Sequence, residues 1–136
     1  MGKYTNAEDD VFSIFANPDW VAENIKTFPN NYIASGSGDE FIRVTIIGSG
    51  KGINRVSISG IFMVEIFIPA GVGVRRANEI ADKLDEYLVN KSVSTVSGNQ
   101  SQFGISTMVH NGVDKDVPLL HKSTYTLTFN FFGSNL

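Results

Sequence analysis

A strand that is apolar on both faces constrains this chain more than anything else in it. From Ile61 to Ile68 the side chains Phe62, Val64, Ile66 and Ile68 point one way, and Ile61, Met63, Glu65 and Phe67 point the other. The run then passes through Pro69-Ala70-Gly71-Val72-Gly73 into an amphipathic helix. A strand is apolar on both sides where both faces of its sheet are covered. In a chain of 136 residues, helices to cover both faces are in short supply. The surplus apolar surface points to partner subunits.

A chain of this length is most economically a single domain over residues 1–136, burying roughly 68–70% of the surface that its unfolded form exposes. With no cysteine, disulfides and thiolate metal sites are excluded, and the two histidines, His110 and His121, are too few for most imidazole-rich sites. The opening Met1-Gly2-Lys3-Tyr4-Thr5-Asn6 lacks the apolar core of a secretory signal, and no run reaches the roughly 18 apolar residues of a membrane span. A soluble protein of the cytoplasm, without a membrane partner, is therefore expected. The net charge of -3 does not advertise a phosphate-neutralising surface. It suits a protein that sits near DNA without adhering to it.

The pattern predicts an α/β chain of the α+β type. A mixed, mostly antiparallel sheet of four to five strands carries a long helix on one face, with a short helical region at the N-terminus. Thr5-Asn6-Ala7-Glu8 has capping-box spacing, and Val11, Ile14 and Phe15 form an apolar stripe. Asn17-Pro18 breaks that helix and restarts a short one carrying Trp20, Val21 and Ile25. Phe41 to Ile47 alternates as a strand, and Gly48-Ser49-Gly50-Lys51-Gly52 reads as a mobile hairpin tip. A weaker strand through Ile53, Val56 and Ile58 follows, with Gly60 as punctuation. Val74 to Val89 is the long helix, apolar at Ala77, Ile80, Ala81, Leu84 and Leu88. Further strands are predicted over Phe103 to Val109 and Ser123 to Phe132, with a turn at Asn111-Gly112.

No chemical motif survives inspection. Gly48-Ser49-Gly50-Lys51 lacks both the leading glycine and the Ser or Thr after lysine of a phosphate loop, and Gly71-Val72-Gly73 has Arg76 where the third glycine of a dinucleotide fingerprint belongs. His110, His121, Asp114, Asp116 and Glu65 are the titratable candidates, and no serine stands in a nucleophile elbow. The chain is expected to be neither an enzyme nor a cofactor carrier. Arg75 and Arg76 occupy the first turn of the long helix, where the helix dipole disfavours cations, so they either meet an acidic partner or are solvated. Glu65 has two readings: a sheet-edge carboxylate in water, or a charge facing a neighbouring subunit's arginine of the Arg43 or Arg55 kind.

The residues Phe67-Ile68-Pro69-Ala70-Gly71-Val72-Gly73, followed by Arg76-Ala77-Asn78-Glu79-Ile80-Ala81-Asp82-Lys83-Leu84, resemble the tail terminator, or tail completion, family of long-tailed bacteriophages. The order of elements around them fits the same family. The resemblance implies an α/β subunit that assembles as a six-membered ring on the finished tail tube, ends tube growth and offers the surface for the DNA-filled head. Its partners would be copies of itself, the tail tube protein and a head-completion or connector protein, with DNA passing through the lumen. Its place would be the head–tail junction of the virion, and no active site or cofactor is implied. Another neck or tail-tube component and, more distantly, a small-ligand enzyme are the alternatives.

The residues expected at subunit or tube contacts are Arg43, Lys51, Arg55, Ile61, Met63, Glu65, Phe67, Arg75 and Arg76. Phe41 joins the apolar patch on the face away from the long helix. The rival expectation is that the N-terminal helices cross that face and hide it. The loop from Gly48 to Arg55 is expected to reach a neighbouring subunit or the tube subunits.

Overall fold

A computed structural model describes residues 3–29, 40–51, 56–71, 73–94, 99–113 and 120–133. Helix α1 spans Lys3–Ala16 and α2 spans Pro18–Val21. Strands β1 (Thr27–Pro29), β2 (Phe41–Lys51) and β3 (Ile58–Pro69) precede α3 (Arg75–Leu88), and β4 (Ser92–Val93), β5 (Gln100–Val113) and β6 (Leu120–Phe132) follow it. The strands form one curled six-stranded sheet in the order β1-β2-β3-β6-β5-β4. Only β1 and β2 pair in parallel; the other ladders are antiparallel.

The α+β class and the mixed, mostly antiparallel sheet agree with the sequence. The strand number does not, because β1 and β4, with three and two residues, are too short to show a period. Both are held by ladder bonds to a longer neighbour rather than by their own composition.

Three boundaries also move. Gly48 to Lys51 continues β2 past a bulge between Gly48 and Gly50, and residues 52–55 lie outside the described residues. The two strands expected around Gly60 are one, with Val56 in a turn before it. Gly60 lies mid-strand opposite Gly48, where a Cβ would collide with the carbonyl of Ile47. Asn111 and Gly112 do not turn the chain. They lie within β5, where an irregularity between His110 and Gly112 absorbs the extra residue.

The turn out of β3 has the expected physical basis. Gly71 and Gly73 have φ of 85° and 80°, the left-handed region that side chains with a Cβ avoid. The chain thus leaves β3 at Pro69 and enters α3 within a few residues. The 14 residues of α3 extend about 21 Å, and its buried stripe is Ala77, Ile80, Ala81, Leu84 and Leu88. The restart at Asn17-Pro18 is also as read: the Asn17 side chain accepts from the Asp19 amide at 2.9 Å, with Pro18 leading the turn.

All three helices lie on one side of the sheet. Ala7, Val11, Ile14 and Phe15 of α1 and the stripe of α3 share one core with Ile42, Val44, Phe62, Val64, Ile66, Ile68, Tyr125, Leu127, Phe129 and Phe131. Phe15 stacks on Phe62 with centroids 6.3 Å apart, and Trp20 meets Phe15 and Tyr87 edge-on at 5.1 and 5.2 Å. The N-terminal helices therefore do not cross the second face.

Candidate assembly surface

The ladder registers place Phe41, Arg43, Thr45 and Ile47 of β2 on the face away from the helices. Beside them stand Ile61, Met63, Glu65 and Phe67 of β3. The same face carries Lys122, Thr124, Thr126 and Thr128 of β6 and Thr107 and Val109 of β5. The sequence-predicted residues Arg43, Ile61, Met63, Glu65 and Phe67 thus share one surface.

Its two ends differ. At the end near Pro69, Phe41 and Phe67 stack at 4.6 Å, and together with Leu120 they are buried in a small second core that Phe28 flanks. The Arg43 guanidinium lies 5.1 Å from the Phe67 ring. Phe41 and Phe67 are therefore hidden by their own chain, which corrects their placement in the patch needing a partner. At the other end Ile47 and Ile61 stand opposite each other and remain 41% and 40% exposed, with Met63 partly so.

Glu65 sits in the middle, on a strand flanked by β2 and β6 rather than at an edge. It accepts from Arg43 Nε at 2.8 Å and has Lys122 Nζ 3.5 Å away, so its partners come from its own chain. Both readings offered for it by the sequence give way to this bridge across three strands. Arg76 is likewise engaged at home, by a two-pronged contact with Glu40 at 2.9 and 2.8 Å. That hydrogen bond is the main reason that its pKa is raised. Arg75 is exposed in the first turn of α3. The backbone of Lys51 pairs with Ile58 at the end of β2, while its side chain and Arg55 lie outside the described residues.

On the helix side, polar groups lock the layers. Ser106 and Tyr125 donate to Asp85 Oδ1 at 2.6 and 2.7 Å, tying α3 to β5 and β6. Burial first, and the Asp85 bond second, push the Tyr125 phenol well above its ordinary range. The folded chain thus holds this proton more tightly than the unfolded one, whose phenol ionises near pH 10. The associated stability is full below about pH 10 and falls as pH rises beyond it. Tyr125→Phe is expected to cost about 1 kcal/mol at neutral pH and to flatten that alkaline fall, as read by urea unfolding across pH. An unchanged alkaline profile would show that this phenol is not its source.

His110 Nδ1 lies 2.8 Å from Ser123 Oγ, and the His110 and His121 rings are 6.2 Å apart. Ser123 is sealed from solvent, so its hydroxyl is out of reach of a substrate and serves to join β5 to β6. Asp114 and Asp116 lie outside the described residues. Among the described residues no three metal-ligating side chains come together, and no helix is long and apolar enough to cross a membrane.

The sequence missed Lys122, Glu40 and Val109 as parts of these surfaces, whereas the alternation of β2 already put Ile47 on the face of Phe41 and Arg43. A signal pointed to Lys122 alone: Glu65 had no counter-charge on its own strand face, between Met63 and Phe67. The partners of Glu65 and Arg76 arrive through strand pairing and the β3–α3 turn.

No protein-family model and no curated protein matches the chain. Seven solved chains match. One of them, whose name states no activity, has a TM-score of 0.62 at 16% identity and covers 98% of this chain and 95% of its own. That likeness extends over the whole fold and speaks for the fold alone.

Proposed function

We propose that the chain is a structural subunit of the tail of a long-tailed bacteriophage, a terminator that closes into a ring on the finished tube. The observation that carries this reading is the uncovered sheet face. Among the described residues every helix is spent on the opposite side, and Ile47, Ile61 and Met63 are left half-bare beside a polar field of threonines. Support also comes from the Pro-Ala-Gly-x-Gly turn and the helix after it, which resemble the family.

Ring closure by head-to-tail contacts uses up the surfaces through which copies recognise one another. The ring then presents one end matched to the tube and another matched to a head-completion or connector protein. Tube growth stops because the outer end no longer repeats the tube. DNA crosses the lumen without sequence-specific contact, which the net charge of -3 favours. On this reading the protein acts in the virion, at the head–tail junction, without catalysis or a cofactor.

Negative-stain microscopy of the purified protein with and without tail tubes is the test. Six-fold discs at tube ends are the expected result. Bare ends at saturating protein would overturn the reading, and long tubes in place of discs would make the chain a tube subunit instead.

A further inference from the structure

We propose that His110 and His121 together hold one divalent transition-metal ion of the zinc or copper(II) class, as a structural clip between β5 and β6 with no part in catalysis. The inference is independent of the ring reading, because it concerns each copy of the chain by itself.

The chain has two histidines, and the fold brings both to one place. His110 stands opposite Ser123 in the β5–β6 ladder, and His121 lies two residues before Ser123 on β6. The rings are therefore diagonal neighbours across the ladder, with centroids 6.2 Å apart and planes inclined at 52°. Both lie on the helix side of the sheet: Ser123 pairs with Ile66 and His121 with Ile68, and both isoleucines belong to the main core. Lys122, between them in sequence, turns its ammonium to the open face and Glu65, so no cation competes for the space.

The separation fits a shared ion. Imidazole nitrogens bind zinc at about 2.0–2.1 Å. With the depth of each ring added, two rings on one ion have centroids about 5 Å apart at a tetrahedral angle and about 6.5 Å apart when directly opposed. The spacing of His110 and His121 falls inside that span, so a turn of either ring closes the bite without moving the strands.

The hydrogen bonds leave the right atoms over. His110 Nδ1 lies 2.8 Å from the Ser123 hydroxyl. That hydroxyl can accept Nδ1–H, which frees the Nε2 lone pair for the ion, and a bond of this kind is what orients a ligating imidazole. His110 is exposed, which gives the ion a way in. His121 supplies the second, independent observation. Its Nδ1 is the one buried side-chain nitrogen or oxygen among the described residues that has no hydrogen-bond partner. Buried polar atoms are nearly always paired, and an exception calls for a water, an ion or a function. A cation on that nitrogen is the partner that the fold itself does not provide.

Neutral nitrogen donors select the class of ion. They suit zinc, nickel or copper(II), whereas magnesium and calcium take oxygen. Among the described residues no third ligating side chain joins the pair, so water completes the coordination and binding is modest. Copper(II) is held most tightly of the series.

With just two histidines and no cysteine, the chain reports on this site without background. Zinc chloride is titrated into the folded protein while the carbon-bound imidazole protons are followed by NMR. Both histidines are expected to shift along one binding curve that saturates at one zinc per chain, and magnesium chloride at the same concentrations is expected to leave them unmoved. Copper(II) is expected to give a spin-resonance spectrum with two imidazole nitrogens on the ion. His110→Gln and His121→Gln are each expected to weaken zinc binding by roughly tenfold or more, and to remove the rise in melting temperature that zinc gives the unaltered chain. Should a variant fold poorly, zinc protection of both histidines from diethyl pyrocarbonate in the unaltered protein takes its place.

Histidines that shift on separate curves, or one that shifts alone, overturn the shared ion. Zinc binding that survives either substitution does so too, as does protection of neither histidine or of only one. No shift at millimolar zinc overturns the site outright.

Discussion

Phe62→Ala is expected to lower stability by about 3–5 kcal/mol, and the melting temperature by on the order of 10 °C. Phe62 is wholly buried at the centre of the sheet, with Phe15 of α1 stacked over it and Phe103 of β5 meeting it at 5.5 Å. Removing the ring subtracts its transfer energy and leaves a cavity that a strand hydrogen-bonded on both sides has little freedom to close. It also takes away the surface against which α1 rests. Equilibrium unfolding in urea measures the effect. A loss below about 1 kcal/mol would mean that α1 is not seated on the sheet. Ile61→Ala, one residue earlier but on the open face, is the control and is expected to cost less than about 1 kcal/mol.

Asp10→Ala is the second large effect, about 2–3 kcal/mol. Asp10 has no exposed surface although it belongs to a helix, and its Oδ2 accepts from Ser101 Oγ at 2.6 Å, itself fully buried on β5. Truncation leaves the Ser101 hydroxyl in a dry site with its acceptor gone, and that desolvation penalty is what makes the loss large. Asp10→Asn keeps an acceptor oxygen and is expected to recover at least half of it, and Asp10→Ala combined with Ser101→Ala is expected to cost less than the sum of the two single changes. A strictly additive double-mutant cycle would rule out a direct coupling between α1 and β5.

Where a periodic pattern spans several turns or several strand pairs, the sequence was readable. The stripe of α3 and the alternation of β6 came through, because burial on one face imposes its period on the residues. The Pro69 to Gly73 turn was readable for a different reason, since positive φ at Gly71 and Gly73 demands glycine. Illegible features were those fixed by distant residues. β1 is a strand because Phe28 pairs with Arg43, and β4 because Val93 pairs with Ser101. Asn111-Gly112 looks like a turn in any local window, yet the ladder with Lys122 and His121 keeps it extended.

For the surface, the grouping of Arg43, Ile61, Met63, Glu65 and Phe67 followed from period-2 alternation and holds. Which of them a single chain satisfies did not follow. That depended on Lys122 reaching Glu65, and on Leu120 and Phe28 closing over Phe41 and Phe67.

The unequal ends of the open face have a consequence for how any array of these molecules could grow. One extremity is finished by a stacked aromatic pair, while the other still offers bare isoleucine. A particle built this way carries an arrow. On the proposed head-to-tail reading, copies that engage through the unfinished extremity all point alike, and the stacked pair marks the opposite end of each.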